Sequence, residues 1–214
     1  MNQALYFGRG TGTRLNSRGT ALSASERSDS PKESVTATLI CHFARAMLSK
    51  PLEGRSTWRW LILSALKKAR ATERFQCIDK MLHVFVPEGG PFGLDIAIDI
   101  LAQTETLILD YAKEYLLGDI TRWGFSSERS FQPNDDYWYV LLRAVARANV
   151  PEKDRLRLIS RCANAPSRGV REGVVEALRD LGAISADKLR KFASEDKDAF
   201  IRKLAHEALE DLES

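Results

Sequence analysis

Two stretches near the end of this 214-residue chain spell out one pattern twice. Residues 158–181 read LISRCANAPSRGVREGVVEALRDL, and residues 189–212 read LRKFASEDKDAFIRKLAHEALEDL. A shift of 31 positions lays Val170-Arg171 on Ile201-Arg202, Glu176-Ala177-Leu178 on Glu207-Ala208-Leu209, and Asp180-Leu181 on Asp211-Leu212. Repetition at a period of ~20–50 residues predicts units that cannot hide their own apolar face and must stack on neighbours of the same kind. The faces are legible: Val170, Val174, Ala177, Leu178 and Leu181 share one side of a helix, as do Ile201, Leu204, Ala205, Ala208, Leu209 and Leu212. Ala177 and Ala208 are small enough to let neighbouring helices approach closely.

Nearly everything from Glu33 onward has helical periodicity. Val35, Leu39, Phe43, Met47 and Leu48 form a first apolar stripe, ended by Pro51 and Gly54. Trp58, Leu61, Ile62, Ala65 and Leu66 form a second. Phe75, Ile78, Met81, Leu82, Phe85 and Val86 form a third, stopped by the PEGGP run at 87–91. Residues 93–117 fit one bent helix or two short ones meeting near Gln103 and Thr104; the alternation over 94–100 is too isolated to predict a sheet. Further helices are expected over 135–148, 152–164, 168–181, 186–194 and 198–212. Pro151 suits a first helical turn, Ser167 and Ser185 suit N-caps, and Gly182 suits a C-terminal cap. Short links between successive helices predict antiparallel neighbours.

Two segments break the pattern. Residues 1–34, rich in Gly, Ser, Thr and Arg, have no sustained apolar period and predict a flexible arm, because too little surface is buried to offset the ordering entropy. Residues 118–134 form a long loop, and loops beyond ~12–15 residues are usually functional or mobile. The basic excess lies at the front: residues 1–90 hold 14 Lys/Arg against 7 Asp/Glu, whereas residues 91–214 hold 18 against 22. Cys41, Cys77 and Cys162, odd in number and widely spaced, read as buried free thiols of a reducing compartment. No apolar run approaches a membrane span, and the N-terminal residues lack the features of a secretory signal. A cytoplasmic protein without a membrane partner is the expectation.

VREGVVEALRDLG (170–182) and IRKLAHEALEDL (201–212) resemble the second helix of HEAT repeats, especially the short type first noted in phycobilin lyases, with its Val-Arg, then Ala, then Ala-Leu pattern. The resemblance covers residues 156–212. It extends more weakly to 135–148, where Trp138, Leu141, Leu142, Val145 and Ala146 match the apolar positions without the arginine. It implies an all-α, right-handed α-solenoid of antiparallel helical hairpins, with the last helix as its cap. It also implies that Arg171 and Arg202 act structurally between neighbouring repeats, with ligand contact as the other reading. The T-P-L-H of ankyrin repeats and the tetratricopeptide spacing are missing.

Catalytic and metal signatures are weak. His42, His83 and His206 are far apart, so no metal or cofactor is expected. The Gly8-Arg9-Gly10-Thr11-Gly12 string lacks the strand, helix and lysine of a phosphate loop. Two features stand out instead. The first is an aromatic cluster around the long loop, Trp123, Phe125, Phe131, Tyr137, Trp138 and Tyr139, which serves either as binding anchors or as a plug between front and rear helices. Trp123 and Tyr137 are the best exposed candidates. The second is a basic set, Arg9, Arg14 and Arg18 on the arm with Lys67, Lys68, Arg70 and Arg74 on the front helices, suited to nucleic acid or an acidic partner.

The expected function is a non-enzymatic scaffold that binds a macromolecule, a protein first: an adaptor, inhibitor or immunity-type protein. Its surface would include Trp123, Tyr137, Trp138, Arg168, Arg171, Arg179, Arg202 and Lys203. Nucleic-acid binding through the arm and front helices is the alternative. A DNA glycosylase of HEAT-like form is a remote third, with Asp135 and Asp136 near Trp138 as its only local carboxylates.

Overall fold

Long apolar periods with few turn residues favour helix, and every regular element of the described residues is helical. The computed structural model describes residues 34–49, 54–117 and 135–213, all within one compact unit, Glu33–Ser214. In chain order the elements are α1 (Val35–Ser49), α2 (Arg55–Lys68), α3 (Arg74–Ala102), α4 (Thr106–Leu117), α5 (Asp135–Arg147), α6 (Glu152–Arg161), α7 (Arg168–Leu181), a 3-10 turn (Gly182–Ser185), α8 (Ala186–Glu195) and α9 (Ala199–Glu213).

Contacts order these helices simply. The odd-numbered ones touch in sequence, α1 on α3, α3 on α5, α5 on α7 and α7 on α9. Each even-numbered helix packs on the odd ones to either side of it. The core follows this row, with α3 burying residues nearly all round, including Cys77, Ile78, Met81, Leu82, Phe85 and Ile98.

The third helix is broken where PEGGP predicts. Gly90 has φ 54° and ψ −155°, a region open almost only to glycine, so α3 is two helical segments joined at a kink. A Cβ built on Gly93 would lie 2.2 Å from the carbonyl oxygen of Phe85. Eight residues of straight helix span about 12 Å, so the chain bends sharply at this point. Two short helices replace the ambiguous 93–117 segment, with a break at Gln103 and a positive φ at Glu105. The alternation over 94–100 is helical.

Close approach of α7 to α5 rests on absent side chains. A Cβ on Gly173 would stand 3.0 Å from the Cα of Tyr139, and one on Gly169 2.5 Å from the Cβ of Asp135. Ala177, on the same ridge, is fully buried. Gly182 ends α7 with φ 75°, its N–H bonded to the Arg179 carbonyl.

Three local expectations need correction. The stripe assigned to α1 has the wrong phase: Ala37, Ile40, Ala44 and Met47 face the core, while Val35 is 75% exposed and Leu39 46%. A small-residue face allows α3 to approach, and that gain outweighs burying larger side chains. Ser185 does not cap α8; its hydroxyl donates to the carbonyls of Leu178 and Gly182, behind it in the chain. Pro151 takes the N-cap position (φ −50°, ψ 128°), one residue before the first helical turn.

Candidate functional site

The repeat arginines show how the framework is tied. Arg171 is 4% exposed. Its Nη1 donates to the carbonyls of Ala165, Pro166 and Ser167 at 3.0, 3.0 and 3.2 Å, and its Nε donates to the Asp196 carboxylate at 2.9 Å. Thus it closes the link entering its own helix and clasps the next link as well. Arg202, one repeat later, donates to the carbonyl of Asp196 at 2.7 Å, six residues back, as Arg171 does to Ala165. Both engage free carbonyls that a helix end leaves unpaired. Arg171 is therefore a buried clasp, which corrects its place among surface contacts.

A second set of ion pairs runs along the row. Asp180 on α7 receives Arg143 at 2.7 Å and Arg147 at 3.0 Å, both from α5, and Arg179 pairs with Asp211 on α9. Arg147 also reaches Asp99 on α3 at 3.5 Å. Near the opposite end of these helices Arg168 lies 4.3 Å from the Phe200 ring centroid and 3.6 Å from Asp198. Of the predicted surface on α7 and α9, Lys203 remains the most open, its side chain 77% exposed beside Glu207.

The aromatic residues of α5 pack inward. Tyr137 is 6% exposed, so it is not the exposed anchor that its place beside the loop suggests. Its ring meets His83 edge-on with centroids 5.8 Å apart, and Trp138 meets Tyr115 at 6.2 Å. For these two rings the plug between front and rear helices is what the geometry shows. Asp135 accepts a hydrogen bond from Ser167, 2.6 Å away. Trp123, Phe125 and Phe131, like Arg9, Arg14 and Arg18, lie outside the described residues.

Beneath this plug sits a carboxylate that the sequence does not announce. Asp79 of α3 is 9% exposed and accepts a hydrogen bond from the Tyr111 hydroxyl of α4. Tyr111 stacks on Tyr115 at 5.8 Å and meets Phe75 edge-on at 5.3 Å. Burial pushes the Asp79 carboxyl up to about 7, against the opposing pull of Tyr111 and Lys80. Burial next to Asp79 likewise pushes the phenols of Tyr111 and Tyr115 well above their ordinary value. The only hint in the sequence is a charged residue inside an apolar stripe.

The clearest concavity lies between α6 and α8, over α7, with a volume of about 430 Å³. Val174, Leu178 and Phe192 give it an apolar floor, and Lys188, Lys191 and Lys197 stand along the α8 side. Sequence reasoning missed it because its walls come from two repeats. Lysines at 188 and 191, on the polar side of a first helix, were the available signal. Trp60, 65% exposed on α2, was also missed, because it falls outside the helix's apolar stripe.

On the front helices Lys67, Lys68 and Arg70 are exposed at the end of α2, whereas Arg74 donates to the carbonyl of Ala69 at 3.1 Å. Among the described residues no group of three His, Cys, Asp or Glu is placed to hold a metal, and no helix is long and apolar enough to cross a membrane. Comparison with family models, with curated proteins and with solved structures finds no match to this chain.

Proposed function

We propose that this chain is a HEAT-like, right-handed α-solenoid of antiparallel hairpins that serves as a scaffold for another protein. The repeat reading is supported by the shared chemistry of Arg171 and Arg202 and by the continuous row α1–α3–α5–α7–α9. The observation that carries the binding reading is the open cleft between α6 and α8, whose apolar floor and charged rim resemble a protein-recognition surface more than a reaction centre. Buried charge in the rear helices is spent on internal pairs, Arg143–Asp180 and Arg171–Asp196.

Affinity capture on the full chain, with and without nuclease, tests this. A stoichiometric protein that survives nuclease and moderate salt is the expected result. Retention of nucleic acid alone, lost steeply as salt rises, would overturn it in favour of the second reading. That alternative draws on the exposed Lys67, Lys68 and Arg70 where α2 ends.

A further inference from the structure

The cleft over α7 follows from how the repeats are tied together. Glycine and alanine at 169, 173, 177 and 208 let the odd-numbered helices close on one another. Nothing comparable draws α6 onto α8, and these two make at most marginal contact. Stacking that is tight on one side and loose on the other leaves a furrow between successive first helices.

Charges on its rim are unequal. Asp196 is occupied by Arg171 at 2.9 Å, with both side chains almost fully buried. Glu195 lies 3.8 Å from Lys191. Lys188 and Lys197 have no carboxylate within salt-bridge distance among the described residues, although they border the same furrow. Each lysine keeps its full charge to offer, at opposite ends of α8. Between them lies the floor of Val174, Leu178 and Phe192, which is apolar but closed to stacking because Phe192 is itself buried.

We propose that this furrow docks an acidic peptide segment of a partner protein, with an apolar side chain on the floor and flanking carboxylates at Lys188 and Lys197. The inference rests on the scaffold reading and names its binding face. A nucleic-acid strand suits the furrow less well: its bases would find no exposed ring to stack on, and its phosphates would meet Glu195. An acidic peptide uses both features, since apolar burial supplies affinity and charge complementarity supplies selection.

The test is an array of octapeptides with a fixed central Leu or Phe and flanks drawn from Asp, Glu, Asn, Gln and Lys, probed with the full chain. Single-stranded oligonucleotides are included as competitors. Wild type should retain octapeptides enriched in Asp and Glu. The doubly charge-reversed variant Lys188→Glu/Lys197→Glu should lose that enrichment and weaken the best binder about tenfold or more. Lys203→Glu, a reversal at an exposed site away from the furrow, should leave both unchanged, and circular dichroism should show all three proteins folded. Absence of acidic enrichment, enrichment surviving the double reversal, or displacement of every peptide by oligonucleotide would each overturn the proposal. If the double variant still captures the protein held by wild type, the furrow assignment fails while the scaffold reading stands. If no protein is captured and no octapeptide binds, both fail.

Discussion

Replacing Asp79 with Asn should make the protein more stable at alkaline pH and leave it nearly unchanged in acid. In the folded chain burial holds the Asp79 carboxyl up to about 7, whereas its ordinary value is 3.8. The folded state therefore binds more protons than the unfolded state between those limits. Stability associated with this group is complete below about pH 4 and is lost as pH climbs through about 7. Each pH unit in that interval corresponds to about 1.4 kcal/mol, so the cost at pH 8 approaches, as an upper bound, about 4 kcal/mol. Asparagine keeps an oxygen that can accept from the Tyr111 hydroxyl and never acquires the buried charge. Tyr115 and Tyr137 also feel the Asp79 charge, their phenols being raised first by burial and then by Asp79, and the substitution relieves them too. Urea unfolding of wild type and Asp79→Asn at intervals from pH 4.5 to 8.5 measures the difference directly. The two curves should nearly meet at the acidic end and diverge by a few kcal/mol at the alkaline end, with the variant above. A difference that stays constant across the range, or a wild type that gains on the variant as pH rises, would refute the reasoning.

Other outcomes follow from the same contacts. Arg171→Ala leaves the Asp196 charge buried without its partner and should cost about 3–5 kcal/mol, read by denaturant unfolding; the exposed Arg179→Ala should cost no more than about 1 kcal/mol. Gly93→Ala forces a methyl against the Phe85 carbonyl and should destabilise by about 1–3 kcal/mol in thermal melts. Gly182→Ala should cost about 1–3 kcal/mol through backbone strain alone, because nothing stands within 4 Å of the added carbon. Burial pushes the Cys77 and Cys162 thiols to about 11, so at pH 8 a thiol-reactive dye should label the half-buried Cys41 first and reach the other two only on unfolding.

Local chemistry made much of the framework readable. Helix α7 runs over Arg168–Leu181 as its pattern indicates, Gly182 ends it, and the break near Gln103 falls where the apolar period loses phase. Such features depend on residues within a few positions of one another, where periodicity and backbone preference act directly. The α1 stripe went astray because burial is awarded by the neighbour, and α3 prefers the alanine side. Tyr137 illustrates the same limit: its position beside a long loop suggests exposure, but His83, 54 positions earlier in the chain, lies against its ring.

What the sequence determined by itself is the helical class, the 31-residue unit and the pair of equivalent arginines within it. Only the tertiary structure decided what those arginines hold, since Asp196 lies 25 residues beyond Arg171 and belongs to the next link. It also decided that Asp79 meets Tyr111 across 32 residues, and that α6 and α8 part over α7 to leave a furrow. Period and propensity are short-range properties of the chain. Sites are made where surfaces from different units meet, and their charge and burial exist only once those surfaces are packed.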